Sequence, residues 1–295
     1  MGVLIRPVVS DADVEAWRQV RMAVVPHERC DTVEGLRAAM RPERLMVLAE
    51  VDGALAGSGL ADVSRLAGVA GVAPRVLPEF RRRGVGGALL RVLAEHCLAL
   101  DRPQVGASAD DPGSVVFAEA FGFEEVDREV EQVRAVGDEP MPSLPSGLSV
   151  VTLAERPELW AMAFETLGRQ AVADFAFDRP IEVTAEDWER EWKGEPASTF
   201  LALAGEDIVA TAGLSLDPDQ PHRAEHTLTA VARDWRGRGV ASALKRLTLH
   251  HASTLGLTEV YTWTQRGNEN MRRLNEHLGY EYRTICVRVR RELPL

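Results

Sequence analysis

The hexapeptide Arg236-Gly-Arg-Gly-Val-Ala241 combines small residues with guanidinium groups in a pattern suited to holding an anion. A glycine-rich turn that enters a helix leaves the first backbone N–H groups without internal partners, and the helix dipole adds positive potential there. Gly237, Gly239 and Ala241 allow close approach to the backbone, while Arg236 and Arg238 can supply charge and bidentate hydrogen bonds. The spacing suits a pyrophosphate. No Gly-Lys-Ser/Thr follows, as in a Walker loop, and the pattern is not Gly-x-Gly-x-x-Gly after a first strand, so nucleoside triphosphates and NAD are poorer candidates. A solvated helix start with a structural turn has the same sequence.

Several elements must position this loop. Phe200–Ala204 and Ile208–Leu216 read as a hairpin turning at Gly205-Glu-Asp207, and Glu225–Val231 alternates as a further strand. After the loop, Val240, Leu244, Leu247 and Leu255 recur near helical spacing. Glu259–Thr264 is a short β-rich run, Asn268–Leu278 a second helix, and Glu281–Arg290 a closing strand. The order recurs upstream. Val76-Leu-Pro-Glu-Phe-Arg-Arg-Arg-Gly-Val-Gly86 overlays Val231–Ala241 without a gap at an offset of 231 − 76 = 155, and Phe121-Gly-Phe123 matches Leu278-Gly-Tyr280 at an offset of 157. An internal duplication explains both pairs. Pro140, Pro142 and Pro145 resist regular structure, so the expected organisation is an α/β chain with one domain over residues 1–138, a linker over 139–147 and a second domain over 148–295.

The chain has 295 residues, 45% apolar and 27% charged, enough for two buried cores without general disorder. Its charge of 34 − 45 = −11 would repel a phosphate backbone, so nucleic acid is not an expected partner. Cys30, Cys97 and Cys286 are odd in number and form no metal-ligand pattern, so no metal is expected and a reducing cytoplasm fits best. No window approaches the ~20 apolar residues of a membrane span, and no secretory leader is expected.

The two loops resemble the Arg/Gln-x-x-Gly-x-Gly/Ala motif of the GCN5-related N-acetyltransferase (GNAT) superfamily, at Arg236-Gly-Arg-Gly239-Val-Ala241 and again at Arg81-Arg-Arg-Gly84-Val-Gly86. Asn268-Glu-Asn-Met-Arg-Arg-Leu-Asn275-Glu-His-Leu-Gly-Tyr280 is similar to the family's Asn-rich ending. The resemblance covers nearly the whole chain and implies two tandem domains, each a mixed, mostly antiparallel sheet flanked by helices. It implies acetyl-CoA as co-substrate, with the pyrophosphate on the amides of Arg236, Gly237, Arg238, Gly239, Val240, Ala241 and Ser242. By the same resemblance Thr229, Ala230 and Val231 pair with the pantetheine arm, and Asn270 and Asn275 contact the coenzyme. Arg81, Gly84 and Gly86 keep the cradle in the first copy. That copy has Asp110-Asp-Pro-Gly113 where the family has Asn, and Ala118 in place of Asn275, so it is expected to bind CoA weakly or serve structurally.

Transfer to an amine needs a base, because an alkylamine of pKa ~10 is mostly protonated at neutral pH. Glu225 is the first choice, expected to share a face with Thr227 and Thr229, and His226 is the runner-up on the opposite face. His250 and His251 read as structural. In relatives a Tyr four residues before the Gly of the final Gly-aromatic pair protonates the leaving group. Asn275 stands there, leaving Tyr280, Tyr282, water or an unaided thiolate. The family implies a backbone N–H near Val231 for the oxyanion.

Acceptor choice is assigned to Phe164–Trp192, where Asp174, Asp178, Glu182, Glu186, Asp187, Glu189 and Glu191 interleave with Phe175, Phe177, Trp188 and Trp192. Such a wall would favour a cationic amine; the same residues fit a helix cap at Thr184–Asp187 and two tryptophans facing the core. The resulting expectation is a small-molecule amine N-acetyltransferase active in its second copy, monomeric or homodimeric. Tandem copies with activity in the second also resemble the mycothiol synthases, which acetylate the cysteinyl amine of a sugar conjugate, although the Asn-rich ending around Met271 looks more like another branch. A non-catalytic acyl-CoA sensor is the reading of a different class, suggested by the missing Tyr at Ala118 and Asn275.

Overall fold

The computed structural model describes residues 2–63, 70–174 and 183–295, apart from the side chains of Arg190 and Glu191. They form two compact units, Met1–Asp127 with Cys286–Leu295, and Arg128–Ile285. These limits differ from a division at 139–147. Residues 136–148 do lack helix and strand, as their prolines dictate, but two twelve-residue strands, Glu124–Ala135 and Glu281–Glu292, each run across a unit limit. Composition marks where regular structure stops, not where a strand changes its neighbours.

The first unit contains β1 (Val3–Pro7), α1 (Asp11–Val24), α2 (Val33–Ala38), β2 (Leu45–Val51), β3 (Ala54–Val63), β4 (Ala70–Val76), α3 (Val85–Ala99), β5 (Gln104–Ala109), α4 (Pro112–Ala120) and the start of β6 (Glu124–Ala135). Strands β1 to β4 are antiparallel neighbours, β4 and β5 pair in parallel, and residues 287–292 lie antiparallel to β5. Ser10 and Asp13 form a capping box that starts α1. Leu89, Leu90 and Leu93 of α3 are buried in one cluster with Val47, Val72, Val105 and Phe123.

The second unit contains β7 (Ser149–Thr152), α5 (Leu159–Ala163), α6 (Arg169–Asp174), α7 (Ala185–Glu191), β8 (Thr199–Ala204), β9 (Asp207–Leu216), β10 (Arg223–His226), β11 (Ala230–Val231), α8 (Val240–Thr254), β12 (Glu259–Gln265), α9 (Glu269–His277) and the start of β13 (Glu281–Glu292). Strands β7 to β10 are antiparallel, with the expected hairpin turning at Gly205 (φ +64°). β10 pairs in parallel with β12, and β12 is antiparallel to β6. The apolar stripe of α8 buries Val240, Leu244 and Leu247; Leu255, expected to continue it, is the C-cap and is 48% exposed.

The single strand expected over 225–231 is broken into β10 and β11. From His226 to Ala230 the chain takes four steps, whereas their partners Leu214 and Thr211 are three apart. In the first unit Val72 and Arg75 are three apart, as are their partners Ala61 and Ser58. The second unit therefore carries one extra residue, a bulge at Thr227–Thr229 that its sister strand lacks.

Candidate functional site

The loop between β11 and α8 places Gly237 (φ +73°) and Gly239 (φ +77°) in the left-handed region, where a Cβ at either would meet nothing within 4 Å. Gly239 is the N-cap of α8, no side chain caps the helix, and its first internal bond is donated by the Ala243 amide to the Gly239 carbonyl at 3.0 Å. The first amides of the helix have no partner within it, an arrangement that fits a phosphate. Arg236 is engaged elsewhere. Its Nε donates to the Val231 carbonyl at 3.0 Å and its Nη2 to Asp174 at 2.5 Å, while Arg233 donates to the other oxygen of Asp174 at 2.9 Å. Burial alone would raise the Asp174 pKa, but Arg236 and Arg233 hold it below the usual range. Arg236 thus clasps the loop to β11 and α6, and the sequence had suggested a freer anion ligand. Arg238 lies over the Trp235 ring at 4.9 Å. The Thr229 hydroxyl is buried and has no partner among the described residues, a group that the amides of an extended ligand could satisfy.

Strands β10 and β12 stay paired only as far as Glu225 opposite Tyr261, beyond which they separate. Glu225 is half-buried at this split. Because 227–229 is irregular, strand alternation does not carry from Glu225 through to Thr229, and the shared face inferred from parity ends at the bulge. Tyr261 is buried, its hydroxyl donates to Asp217 at 3.0 Å, and Arg223 stacks over its ring at 4.0 Å. Burial, then the charges of Glu225 and Asp217, raise the Tyr261 pKa, so this phenol stays protonated beside the carboxylate. Asp217, Arg223 and Tyr261 bear on Glu225 only through register, which the spacing of these residues does not reveal.

His226 faces the opposite side, beneath the sheet. Its Nε2 lies 3.0 Å from the Thr248 hydroxyl and its Nδ1 3.2 Å from the Thr227 carbonyl. Complete burial, aided by the charge of Lys245, pushes its pKa well below the ordinary value. Tyr280 is buried among Leu249, Leu257, Val260 and Leu278 with its hydroxyl unpartnered among the described residues, and burial raises its pKa. Tyr282 is 55% exposed and bonds Glu276. Asn275 is fully buried, donating to Gln132 at 2.9 Å with its Oδ1 unpartnered among the described residues, whereas Asn270 is exposed on α9. His250 meets the Glu139 carbonyl at 2.7 Å, and His251 meets Ser198 at 3.0 Å.

The first unit keeps the loop backbone but fills its surroundings. Gly84 has φ +82°, and Arg82 occupies at φ +62° the left-handed position that Gly237 holds in the second unit. A Cβ at Gly86 would lie 3.2 Å from Phe117, and one at Gly87 3.0 Å from Phe121. Asp111 caps α4 by accepting from the Gly113 and Ser114 amides at 2.8 and 3.1 Å. Burial would raise the Asp111 pKa, but these bonds, the Ser114 hydroxyl and the charge of Arg81 lower it. The helix start that α9 caps with the neutral Asn268 is here closed by a carboxylate.

Of the region assigned to acceptor choice, Phe175, Phe177, Asp178 and Glu182 lie outside the described residues, as does the Glu191 side chain. Thr184 and Asp187 form a capping box, and Trp188 is 1% exposed, stacked on Trp160 at 4.6 Å. Trp188 is therefore core, and Asp174 serves the loop. No helix among the described residues is long and apolar enough to cross a membrane.

A glycine turn with no side-chain cap, set between a strand and a helix and present twice, marks two copies of one α/β fold. The pattern of the acetyltransferase (GNAT) family matches residues 160–280, and that of the acetyltransferase (GNAT) domain matches residues 8–136. The chain is 33% identical over 252 residues to a mycothiol acetyltransferase of Geodermatophilus obscurus, covering 81% of this chain and 80% of the relative. It is 28% identical over 284 residues to a mycothiol acetyltransferase of Gordonia bronchialis, covering 86% and 88%. A tandem GNAT protein from the clavulanic acid biosynthesis pathway superposes with a TM-score of 0.76 at 21% identity, over 100% of both chains. A GCN5-related N-acetyltransferase from Sphaerobacter thermophilus does so with 0.75 at 22%, over 98% and 95%. The chain belongs to the GNAT family as a tandem member, and it is an acetyl-transferring enzyme.

Proposed function

We propose that the second unit moves an acetyl group from acetyl-CoA to a primary amine of a small molecule by direct attack, with Glu225 as general base. The observation that carries this reading is the position of Glu225, at the last paired residue before the strands split and on the strand that leads to the uncapped glycine loop. The amides of residues 237–242 would hold the pyrophosphate, with Arg238 adding charge, and the Thr229 hydroxyl would meet the pantetheine arm. The substrate ammonium releases one proton to water, the resulting amine nitrogen bonds the thioester carbonyl carbon, the C–S bond breaks with its electron pair on sulfur, and the remaining excess N–H proton passes to Glu225. A backbone N–H near Val231 would stabilise the oxyanion. Burial of His226 against Thr248, away from the face of Glu225, argues against it as base.

A narrower reading takes the acceptor as the cysteinyl amine of a sugar conjugate, supported by relatives that carry the name mycothiol acetyltransferase. Free thiol released from acetyl-CoA is measured with that conjugate and with a panel of simple amines. Turnover with the conjugate alone supports the narrower reading. Gly239→Val, which forces a β-branched residue into left-handed backbone at about 1–2 kcal/mol, is expected to abolish turnover and acetyl-CoA binding. Unaltered activity in a folded Gly239→Val protein would remove the second loop from the site.

A further inference from the structure

Glu225 and Tyr261 are the last residues that pair β10 with β12, and beyond them the two strands follow different neighbours. The Thr227 amide donates to the Gly213 carbonyl of β9 at 2.9 Å, while β12 runs on along β6 to Gln265. Contacts beneath the sheet fix one face of β12: Thr262 donates to the His226 carbonyl at 3.5 Å, and Thr264 accepts from Asn275 at 3.5 Å. Alternation therefore puts Trp263 on the other face with Tyr261, the face of Glu225. Trp263 stands two residues, about 7 Å, along β12 from the partner of Glu225, on the opposite bank of the split.

The ring is half-buried and unclaimed. Of the six tryptophans, Trp17 donates to the Gly59 carbonyl, Trp188 packs against Trp160 and Trp192, and Trp235 lies under Arg238. Trp263 has no hydrogen bond, ring contact or cation contact among the described residues, and it joins none of the second unit's apolar clusters. Nor does the fold require it. Register sets Gly71, Gly106 and Ser108 of the first unit against Glu225, Tyr261 and Trp263. The surroundings are acidic. Arg223 lies 2.9 Å from Asp217, and Arg283 donates to Glu131 at 2.7 Å and to Glu259 at 2.8 Å. Glu131 is fully buried directly across from Trp263 on β6. With Glu225, four carboxylates thus stand against two guanidiniums among the described side chains around the split.

We propose that Trp263 is a specificity-determining residue of the acceptor site, its indole face receiving a cationic amine whose nitrogen lies against Glu225. The inference rests on the transfer proposed for the second unit, and it names the substrate class of that site: a primary amine that arrives as an ammonium. An ammonium is attracted to the π face of an indole more strongly than to a phenyl or phenol ring, and a carboxylate beside it adds complementary charge. A neutral amine gains little from either. The aromatic wall expected over residues 164–192 passes in this way to β12, because Trp188 is core whereas Trp263 is accessible.

The test measures acetyl-CoA turnover with the panel of simple amines and the cysteinyl sugar conjugate, with folding checked by Tm. Trp263→Ala and Trp263→Ser, the latter the first unit's own residue, are expected to raise KM for the best cationic amine by about 3–30-fold. Both should hold kcat within about threefold and acetyl-CoA affinity within about twofold, the split that marks lost acceptor binding. Trp263→Phe is expected to recover part of the loss. Trp263→Leu, which keeps apolar bulk without a π face, should behave as Trp263→Ala and serves if the small variants fail to fold. For an alkoxyamine, uncharged at neutral pH and read as substrate or competitor, the same variants should change the constant by less than about threefold, which a merely structural ring would not spare. Unchanged KM for the cationic amine in a folded variant without the ring, or equal rises for charged and uncharged acceptors, would overturn the inference and leave the transfer in place. Silence of the wild-type chain toward every amine would instead overturn the proposed transfer, and the inference with it.

Discussion

Where the second unit has Glu225 at the end of the paired strands, the first has Gly71, likewise the last residue paired before its strands part. Where the second has a bulge, the first has a continuous β4; where the second leaves its cradle open, the first packs Phe117 and Phe121 beside it and closes α4 with Asp111. Both loops nevertheless hold the same left-handed backbone, at Arg82 and Gly84 and at Gly237 and Gly239. The difference separates two things that one motif carries. The loop is a way to start a helix, and what differs between the units is its surroundings: a bulge before it and a carboxylate at the end of the paired strands in the second, aromatic rings beside it in the first.

The largest way to break this comparison is to remove the carboxylate. Glu225→Gln is expected to lower kcat/KM by about 10²–10⁴, the range for loss of a general base, with acetyl-CoA binding kept in calorimetry. Full activity would return Glu225 to the standing of a solvated strand-end residue. Deleting Leu228 should make β10 and β11 continuous like β4; displacement of the loop relative to Glu225 by even about 1 Å predicts a loss near 100-fold in turnover by a folded protein. A smaller effect concerns acid. The folded state holds His226 below its ordinary pKa, so the unfolded state binds a proton first, and stability should fall as pH drops below about 6.5, by up to ~1.4 kcal/mol per pH unit. Urea midpoints from pH 8 to 5 for the wild type and His226→Leu measure it, and parallel curves would contradict it. Smallest, Arg82→Gly should relieve the left-handed backbone of the first loop and raise stability by about 0.5–1 kcal/mol, read from the urea midpoint, without changing turnover.

Much of this was legible in the sequence. The duplication, the loop, the hairpin at Gly205 and the helix and strands that follow are local patterns of glycine and apolar spacing, and such patterns act within a few residues. The opposite facing of Glu225 and His226, neighbours on β10, followed from strand parity. The rest depended on partners distant in the chain. Parity could not reveal the bulge, because an extra residue is defined only against the neighbouring strand. Arg236 looked like a free anion ligand until Asp174, 62 residues away, was found against it. Tyr280 offered a hydroxyl, but only packing shows that this hydroxyl is buried. Asn275 and Lys245 sit where apolar residues would satisfy the helical pattern, and an apolar stripe gives no warning of a polar layer.

The last ten residues, Cys286–Leu295, complete the first unit, and residues 128–285 come between. During synthesis β5, which ends at Ala109, therefore waits for its antiparallel partner, which begins at Val287, while 287 − 109 = 178 residues emerge, which at ribosomal speed takes roughly 10–40 s. For that interval the earlier half of the nascent chain presents an unfinished strand edge, and its maturation is set by the clock of translation.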